Sequence, residues 1–224
     1  MKALFAIACA ATALMIAACS TTTETGAETK ITKLPEPSLT GSVSIEETLA
    51  ARRSVRRYAD RPLTVEHLGQ LLWAAQGITH EGRGLRTAPS AGALYPLEIY
   101  VFTGDGVHHY SPRDHTLTLT KAGDQRAELA KAALGQRCVR ENGVVILVAA
   151  EYARTTGRYG DRAKRYVDLE VGCVCQNVLL QATALGIVGV PVGAYSDADV
   201  KRIAALPDEQ TPLLLIPLGY PSEE

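Results

Sequence analysis

Four arginines and a serine stand close together in the run RRSVRR at positions 52–57. Guanidinium groups match phosphate oxygens as forked donors, and a hydroxyl can add one more hydrogen bond. The arginine cluster, defined here as Arg52, Arg53, Ser54 and Arg56, is therefore a candidate phosphate site. A solvated basic surface explains an isolated run of this kind equally well, so the residue types leave both interpretations open.

A loop of small residues lies in the stretch RTAPSAGALYPLEIYVFT, at positions 86–103. We define the cradle loop as Pro89, Ser90, Ala91, Gly92 and Ala93. Small side chains let a flat ligand approach the backbone, and the prolines stiffen the chain. The apolar residues 97–103 that follow predict a buried strand. The loop either holds a planar ring or is a tight surface turn, and its composition alone favours the turn.

A second group of small residues lies in GVPVGAYS, at positions 189–196. We predict a strand over residues 187–195 that runs into this loop. Gly193 and Ala194 leave backbone amides accessible to a ligand.

Histidine and cysteine are the remaining residues that could bind a metal. His108 and His109 are adjacent on a predicted strand and face opposite sides, so with His115 they predict structural or surface roles rather than a metal site. Cys138, Cys173 and Cys175 are too few and too clustered for a disulfide framework. We expect core thiols and no metal centre.

Composition limits the possible partners. The 224 residues suggest one substantial domain, and a hydrophobic content of 46% is ample for its core. A formal net charge of −1 gives no reason to expect nucleic acid as the main partner.

The amino-terminal residues predict export. Residues 1–19 combine Lys2, a short apolar run and the ending Ile-Ala-Ala-Cys, which resembles the bacterial lipobox and predicts lipidation of Cys19. An ordinary signal peptide with a chance cysteine is the alternative. Residues 20–43 are rich in Thr, Glu and Pro and predict a flexible tether, so that the folded domain spans residues 44–224. We therefore expect a lipid-anchored protein of the bacterial cell envelope facing the periplasm, with the outer membrane slightly favoured.

Capping residues and apolar periodicity predict the elements that would position these groups. Ser44 and Glu47 form a capping box before a helix, and Thr64 caps the next one. We predict helices over residues 45–53, 65–76, 124–134, 162–185 and 197–206, strands over 97–103, 107–110, 116–120, 144–150, 187–195 and 212–219, and polar loops over 80–84 and 154–161.

The longest predicted helix is apolar nearly all round at its centre, over residues 171–180. Such a helix is buried on every side, either inside its own domain or against a second copy of the chain. The sequence pattern does not decide between the two.

Three motifs in one order carry a family resemblance: RRSVRRY, then PSAGALYP before a strand, then GVPVGAY. Together they resemble the FMN-dependent nitroreductase family, and within it the SagB-type branch of azoline dehydrogenases that mature peptide toxins. The resemblance spans about residues 45–221. It implies an α+β fold with a central mixed or antiparallel sheet flanked by helices, and a homodimer whose long buried helix lies in the interface.

The resemblance also implies an FMN site. Its phosphate would lie on Arg52, Ser54 and Arg56, with Arg53 between them, and its ring against the cradle loop. The segment Pro191, Val192, Gly193 and Ala194 would lie over the flavin near N5. The expected activity is ping-pong hydride or electron transfer through flavin N5, to or from a small organic substrate.

Two departures from the family pattern bear on the chemistry. The Lys-Tyr acid/base pair of azoline dehydrogenases corresponds to Arg158 and Tyr159, and arginine stays protonated. Tyr159 remains a candidate proton donor. Residues 219–224 contain no basic residue to add to the phosphate site, so the arginine cluster must hold the phosphate by itself.

Three functions remain in competition. The first is an FMN oxidoreductase, whose reductant in the periplasm need not be NAD(P)H. The second is a SagB-type azoline or peptide dehydrogenase. The third is a flavin-binding lipoprotein without turnover.

Overall fold

A seven-stranded sheet forms the centre of the protein in the computed structural model, which describes residues 30–222. Its strand order is β1-β6-β5-β4-β7-β9-β8, and every neighbouring pair is antiparallel. A separate hairpin joins β2 to β3. The strands are β1 (Ile31–Lys33), β2 (Ile78–His80), β3 (Leu85–Arg86), β4 (Leu97–Phe102), β5 (Gly106–Ser111), β6 (Thr116–Ala122), β7 (Val144–Ala150), β8 (Val188–Gly189) and β9 (Thr211–Gly219).

Helices cover both faces of this sheet, which confirms the expected α+β fold. Ser44 and Glu47 form the predicted capping box, and Thr64 accepts the predicted hydrogen bond at the start of the next helix; Ser196 accepts a corresponding bond from the Asp199 amide. The helices are α1 (Ile45–Ala51), α2 (Val65–Gln76), α3 (Arg126–Ala132), α4 (Arg137–Arg140), α5 (Ala153–Tyr159), α6 (Ala163–Ala184) and α7 (Asp197–Ala204).

Alternation along the strands divides the core into two layers. In β4, Ile99 and Val101 pack in the layer formed with α2 and α6, while Tyr100 and Phe102 pack in the layer formed with α3, α4 and α7. All seven residues of β7 are buried, because helices cover this strand on both sides. An uninterrupted apolar run is typical of such a strand, which is why its bounds were predictable.

The tether predicted over residues 20–43 is wrong from residue 30 onward. Strand β1 adds to the sheet beside β6, and Leu34, with 2% of its surface exposed, belongs to the core. The Ser38 amide donates to Gln70 Oε1 at 2.8 Å. The edge strand β6 offers unpaired backbone groups, so this segment pairs with it despite having few large apolar side chains. The predicted signal peptide over residues 1–19, lipidated Cys19 and the start of the tether lie outside the described residues.

Three further expectations need correction. Residues 154–161, predicted as a polar loop, lie mostly in α5, and residues 80–84 lie partly in the β2–β3 hairpin. The strand predicted over 187–195 is limited to β8 and one bridge between Val192 and Leu215. Segment α5 lacks an apolar face, and its helix is stabilised by tertiary contacts around the buried Thr155.

Helix α6 is the longest helix among the described residues, as predicted. Its centre is not buried on all sides within one chain: Val171, Val174 and Val178 are buried, whereas Gly172 and Gln176 are exposed. The role of its open side in a dimer stays a prediction. Within residues 30–222, no helix is both long and apolar enough to cross a membrane.

Candidate functional site

The arginine cluster begins where α1 ends. Arg52 is the C-cap of this helix, and the Arg53 guanidinium donates to the carbonyls of Ala50 and Arg52, each at 2.8 Å. Ser54 then forms a parallel bridge with Gly189 of β8. Backbone contacts at both ends therefore hold the cluster against the edge of the sheet.

The charges of the cluster are available to an anion. Within residues 30–222, none of Arg52, Arg53 and Arg56 forms an ion pair with a carboxylate. Arg52 and Arg53 line a cleft of about 290 Å³ together with Leu179 and Thr183 of α6. Unpaired guanidinium groups beside a cleft suit an anionic ligand.

The segment from Pro191 to Ala194 lies near the cluster. Gly189, which pairs with Ser54, precedes Pro191 by only two residues. Val192 is buried and exchanges hydrogen bonds with Leu215 of β9 at 2.8 and 3.0 Å. Gly193 and Ala194 are exposed, and the Ala194 carbonyl accepts from Gln136. Val192 is therefore held in place, and the two small residues that follow it are exposed to solvent, which agrees with the prediction that this backbone is accessible.

The cradle loop has an unusual backbone. Gly92 and Ala93 have φ of 64° and 54°, and Tyr95 has φ of 47°. Left-handed conformations at non-glycine residues are strained and cluster at functional sites. The Ser90 hydroxyl accepts from the Tyr95 amide at 2.9 Å and so closes the loop on itself.

Tyr159 and Arg158 meet the cradle loop at Gly92. A Cβ placed on Gly92 would lie 2.8 Å from the Tyr159 hydroxyl and 2.9 Å from Arg158 Nη1, so a larger residue there would have to displace the ends of these two side chains. The Tyr159 ring packs edge-on against Tyr166, with 5.0 Å between centroids. The structure therefore brings the predicted proton donor to the predicted ring-binding loop.

A polar group beneath the loop escaped the sequence analysis. Glu170 of α6 has 3% of its surface exposed and neighbours Ser90 and Gln76. Arg86 Nη1 donates to Gln76 Oε1 at 2.8 Å, and the Arg86 amide donates to the Tyr95 hydroxyl at 3.1 Å. The one available signal was an acidic residue directly before the apolar centre of the predicted helix, residues 171–180.

The arginine cluster and the cradle loop lie at different positions along α6. Arg52 shares its cleft with Leu179, whereas Ser90 neighbours Glu170. Nine residues of helix separate these two points of α6, which corresponds to about 14 Å along its axis. The two regions therefore contact α6 at separate points.

The histidines tie strands together. His109 lies 2.6 Å from Glu98, and His108 lies 3.0 Å from Asp105. Burial opposes ionisation of Glu98, but hydrogen bonds from His109 and from Arg154 lower the pKa of this carboxyl overall. Among residues 30–222, no three His, Cys, Asp or Glu side chains come together in a way that could hold a metal ion.

The thiols within the described range are free. Burial raises the pKa of Cys175 to about 11, so this thiol stays protonated near neutral pH. Cys138 is buried in the second core layer, and burial raises the pKa of its thiol as well.

The comparisons with known proteins agree with this geometry. The nitroreductase family profile matches residues 49–220. The Methanocaldococcus jannaschii protein MJ1384, named as a nitroreductase, is 46% identical over 183 residues, which cover 79% of this chain and 91% of that protein. The Escherichia coli microcin B17-processing protein McbC is 24% identical over 165 residues, which cover 69% of this chain and 60% of that protein.

Solved structures show the same fold. A crystal structure of a nitroreductase from Ralstonia eutropha superposes with a TM-score of 0.79 at 25% identity, covering 87% of this chain and 90% of that chain. The NADPH:FMN oxidoreductase of Vibrio harveyi, solved with NAD+, superposes with a TM-score of 0.61 at 24% identity, covering 80% of this chain and 69% of that chain. The fold and the profile define an α+β oxidoreductase class. The chain belongs to the nitroreductase family.

Proposed function

We propose that the protein is an FMN-dependent oxidoreductase, which transfers hydride or electrons to or from a small organic substrate. The observation that carries this proposal is the pair of guanidinium groups at Arg52 and Arg53, which form no ion pair within residues 30–222 and line an open cleft. These donors fit the phosphate of FMN, and the small residues of the cradle loop fit a flat ring. The relative from Vibrio harveyi is named for FMN.

FMN, when bound, supplies the redox chemistry at its N5, and the chain positions it. Arg52 and Arg56 bind the phosphate, and Ser54 adds a hydroxyl donor. The small residues Gly193 and Ala194 leave room above the ring. Tyr159 holds a proton at its hydroxyl beside Gly92, where it can be donated to a substrate.

A second copy of the chain completes this site in our proposal. The arginine cluster and the cradle loop neighbour α6 at points about 14 Å apart along its axis, and we propose that each FMN contacts the cluster of one chain and the loop of the other. Leu39, Ile45 and Leu49 have 79%, 55% and 54% of their surfaces exposed. Leu39 and Ile45 line a groove of about 620 Å³ along α2 and α6, and an apolar surface of this kind suits a homodimer.

An absorbance spectrum of the full-length chain tests the cofactor. We expect yellow protein with flavin bands, or colourless protein that acquires them after incubation with FMN and gel filtration. Protein that stays colourless would contradict the proposal. Elution at the mass of a monomer after FMN loading would contradict the shared site while leaving flavin binding intact.

A SagB-type peptide dehydrogenase is the second candidate. The resemblance to McbC and the position of Tyr159 over the cradle loop favour it. Arg158 argues against it, because a guanidinium cannot serve as the base that removes a proton. Oxygen consumption with an azoline-containing peptide, compared with turnover of quinones and nitroaromatics, separates the two candidates.

We further propose that Cys19 carries a lipid that anchors the protein in the cell envelope, facing the periplasm. The lipobox-like end of residues 1–19 supports this location. Incorporation of labelled palmitate in a bacterial host tests it. The label should be absent from the Cys19→Ser variant and present in a Cys138→Ser control.

A further inference from the structure

Arg154, in the first turn of α5, contacts two carboxylates and one backbone carbonyl. Its Nη1 lies 2.6 Å from Glu98 Oε1, and its Nη2 lies 2.7 Å from Glu151 Oε2. The same Nη1 donates to the carbonyl of Tyr95 at 3.2 Å. A guanidinium carries five N–H donors in a planar fork, so one side chain can serve all three acceptors. Arg154 therefore joins the start of α5 both to strand β4 and to the residue that follows the cradle loop.

Glu98 fixes the direction in which Arg154 points. The Glu98 side chain, on the central strand β4, is only 14% exposed. Its second oxygen, Oε2, lies 2.6 Å from His109 Nε2 on the neighbouring strand β5. A carboxylate held at both oxygens on a rigid sheet offers the guanidinium one well-defined position.

Tyr95 has a strained backbone that is held from three segments. Its φ of 47° is left-handed, and a conformation of this kind persists only where the surrounding structure holds it. The Tyr95 amide donates to the Ser90 hydroxyl at 2.9 Å, and the Tyr95 hydroxyl accepts from the Arg86 amide at 3.1 Å. The third contact, at the carbonyl, is the one that comes from α5.

Helix α5 has few features of its own that would fix its position. It is seven residues long, and the side chain of its N-cap, Tyr152, makes no capping hydrogen bond. A helix this short depends on tertiary contacts. Tyr159 follows Arg154 by five residues, about 7.5 Å along the helix axis. The contacts of Arg154 thus hold the start of the helix whose other end brings Tyr159 to Gly92.

We propose that Arg154 is a positioning residue. By binding Glu98 and the Tyr95 carbonyl together, it holds the cradle loop and α5 in one relative position and so keeps the Tyr159 hydroxyl beside Gly92. This effect concerns the chain alone. The consequence for turnover rests on the proposed function, in which Tyr159 donates a proton, because a proton donor must be held within hydrogen-bond reach of its acceptor.

Hydrogen exchange of the full-length chain without added FMN tests the positioning directly. In the Arg154→Gln variant, exchange should rise about tenfold both in the peptide that contains Tyr95 and in the peptide that covers α5, since the two segments lose their shared contact. Glu151→Gln is the matched control. It removes the charge of the second carboxylate but leaves the contacts of Arg154 with Glu98 and Tyr95, so both peptides should exchange as in the wild type.

Arg154→Lys is a second variant, which keeps a positive charge beside Glu98 and therefore guards against loss of folding. An ammonium lacks the planar fork, so exchange at Tyr95 should still rise, though less than in Arg154→Gln. Protection equal to that of the wild type in both variants would overturn the proposal. A rise at Tyr95 with no change in α5 would overturn it as well, because the two segments would then not be linked through Arg154.

A double-mutant cycle with Tyr159→Phe tests the consequence for turnover of a quinone acceptor. Arg154→Gln should lower kcat about tenfold in the wild type, and less than about twofold in the Tyr159→Phe background, where no proton donor is left to position. Equal losses in the two backgrounds would overturn the link from Arg154 to Tyr159. Absence of FMN binding and turnover in the wild type would instead overturn the proposed function, and the exchange data would still decide the role of Arg154.

Discussion

The arginine cluster and the cradle loop are the two parts of the proposed FMN site, and they are built in opposite ways. Arg53, Ser54 and Arg56 are exposed and Arg52 is half-buried, while the backbone of the cluster is fixed to α1 and Gly189. The loop rests on buried polar groups and has a strained backbone. In the proposed site, the cluster therefore binds the ligand through its charge, and the loop binds it through the shape of its backbone.

This difference predicts different responses to mutation. Neutralising an exposed guanidinium changes the ligand affinity and little else, because the side chain stabilises nothing inside the fold. Changing the loop or its support alters both the conformation and the affinity. Four variants, one of them a double substitution, test the comparison.

The largest effect is expected from the double substitution Arg52→Ala and Arg56→Ala. A hydrogen bond to a charged group contributes about 1.5–3 kcal/mol, so losing two should weaken FMN binding about 1,000-fold. Isothermal titration calorimetry measures this affinity. Arg202→Ala, which removes a surface guanidinium paired with Asp199, is the control and should bind FMN as the wild type does. A thermal unfolding temperature lowered in the double variant alone would show that the cluster also has a structural role.

Tyr159→Phe should lower turnover about 100-fold, the typical contribution of a positioned proton donor. It should leave the affinity for FMN unchanged, because the ring still packs on Tyr166. Steady-state kinetics with a quinone acceptor measures the effect, and Tyr166→Phe is the matched control. Unchanged turnover in Tyr159→Phe would remove this residue from the chemistry and leave the loop with a binding role only.

Gly92→Ala should weaken FMN binding about tenfold, because the new Cβ meets Tyr159 and Arg158 and a positive φ costs alanine about 1–2 kcal/mol. The unfolding temperature should fall as well. Gly157→Ala in α5 has open space around its Cβ and should stabilise the helix slightly. Equal behaviour of the two variants would contradict the shape-based account of the loop.

The smallest effect is expected on the stability of strands β4 and β5, where Glu98 pairs with His109. The pKa of Glu98 is lowered in the folded protein, so its contribution to stability is present above its unfolded value, about 4.3, and is lost as pH falls through the folded value. Glu98→Gln should lower the free energy of unfolding at pH 7 by about 1.5 kcal/mol, and less in acid. Urea unfolding at pH 7 and pH 3 measures the difference. The exposed Glu128→Gln should show no comparable change, and a pH-independent loss in Glu98→Gln would refute the electrostatic explanation.

The fold was largely predictable because its signals are local. Capping at Ser44 and Thr64, the apolar run of β7 and the length of α6 all follow from the residues themselves. The edge strand β1 was missed. It is held by backbone hydrogen bonds to β6, whereas the prediction of a strand relies on a pattern of apolar side chains. Helix α5 was missed for a related reason, because it has no apolar face to detect.

The sequence by itself identified the arginine cluster, the cradle loop and the segment at positions 191–194, because residue types and their order along the chain carry that information. Only the tertiary structure decided that Tyr159 meets Gly92 and that Glu170 lies beneath Ser90. It also placed the cluster and the loop at separate points of α6. Contacts between distant segments depend on how helices and sheet pack together, and no local pattern of residues records that packing.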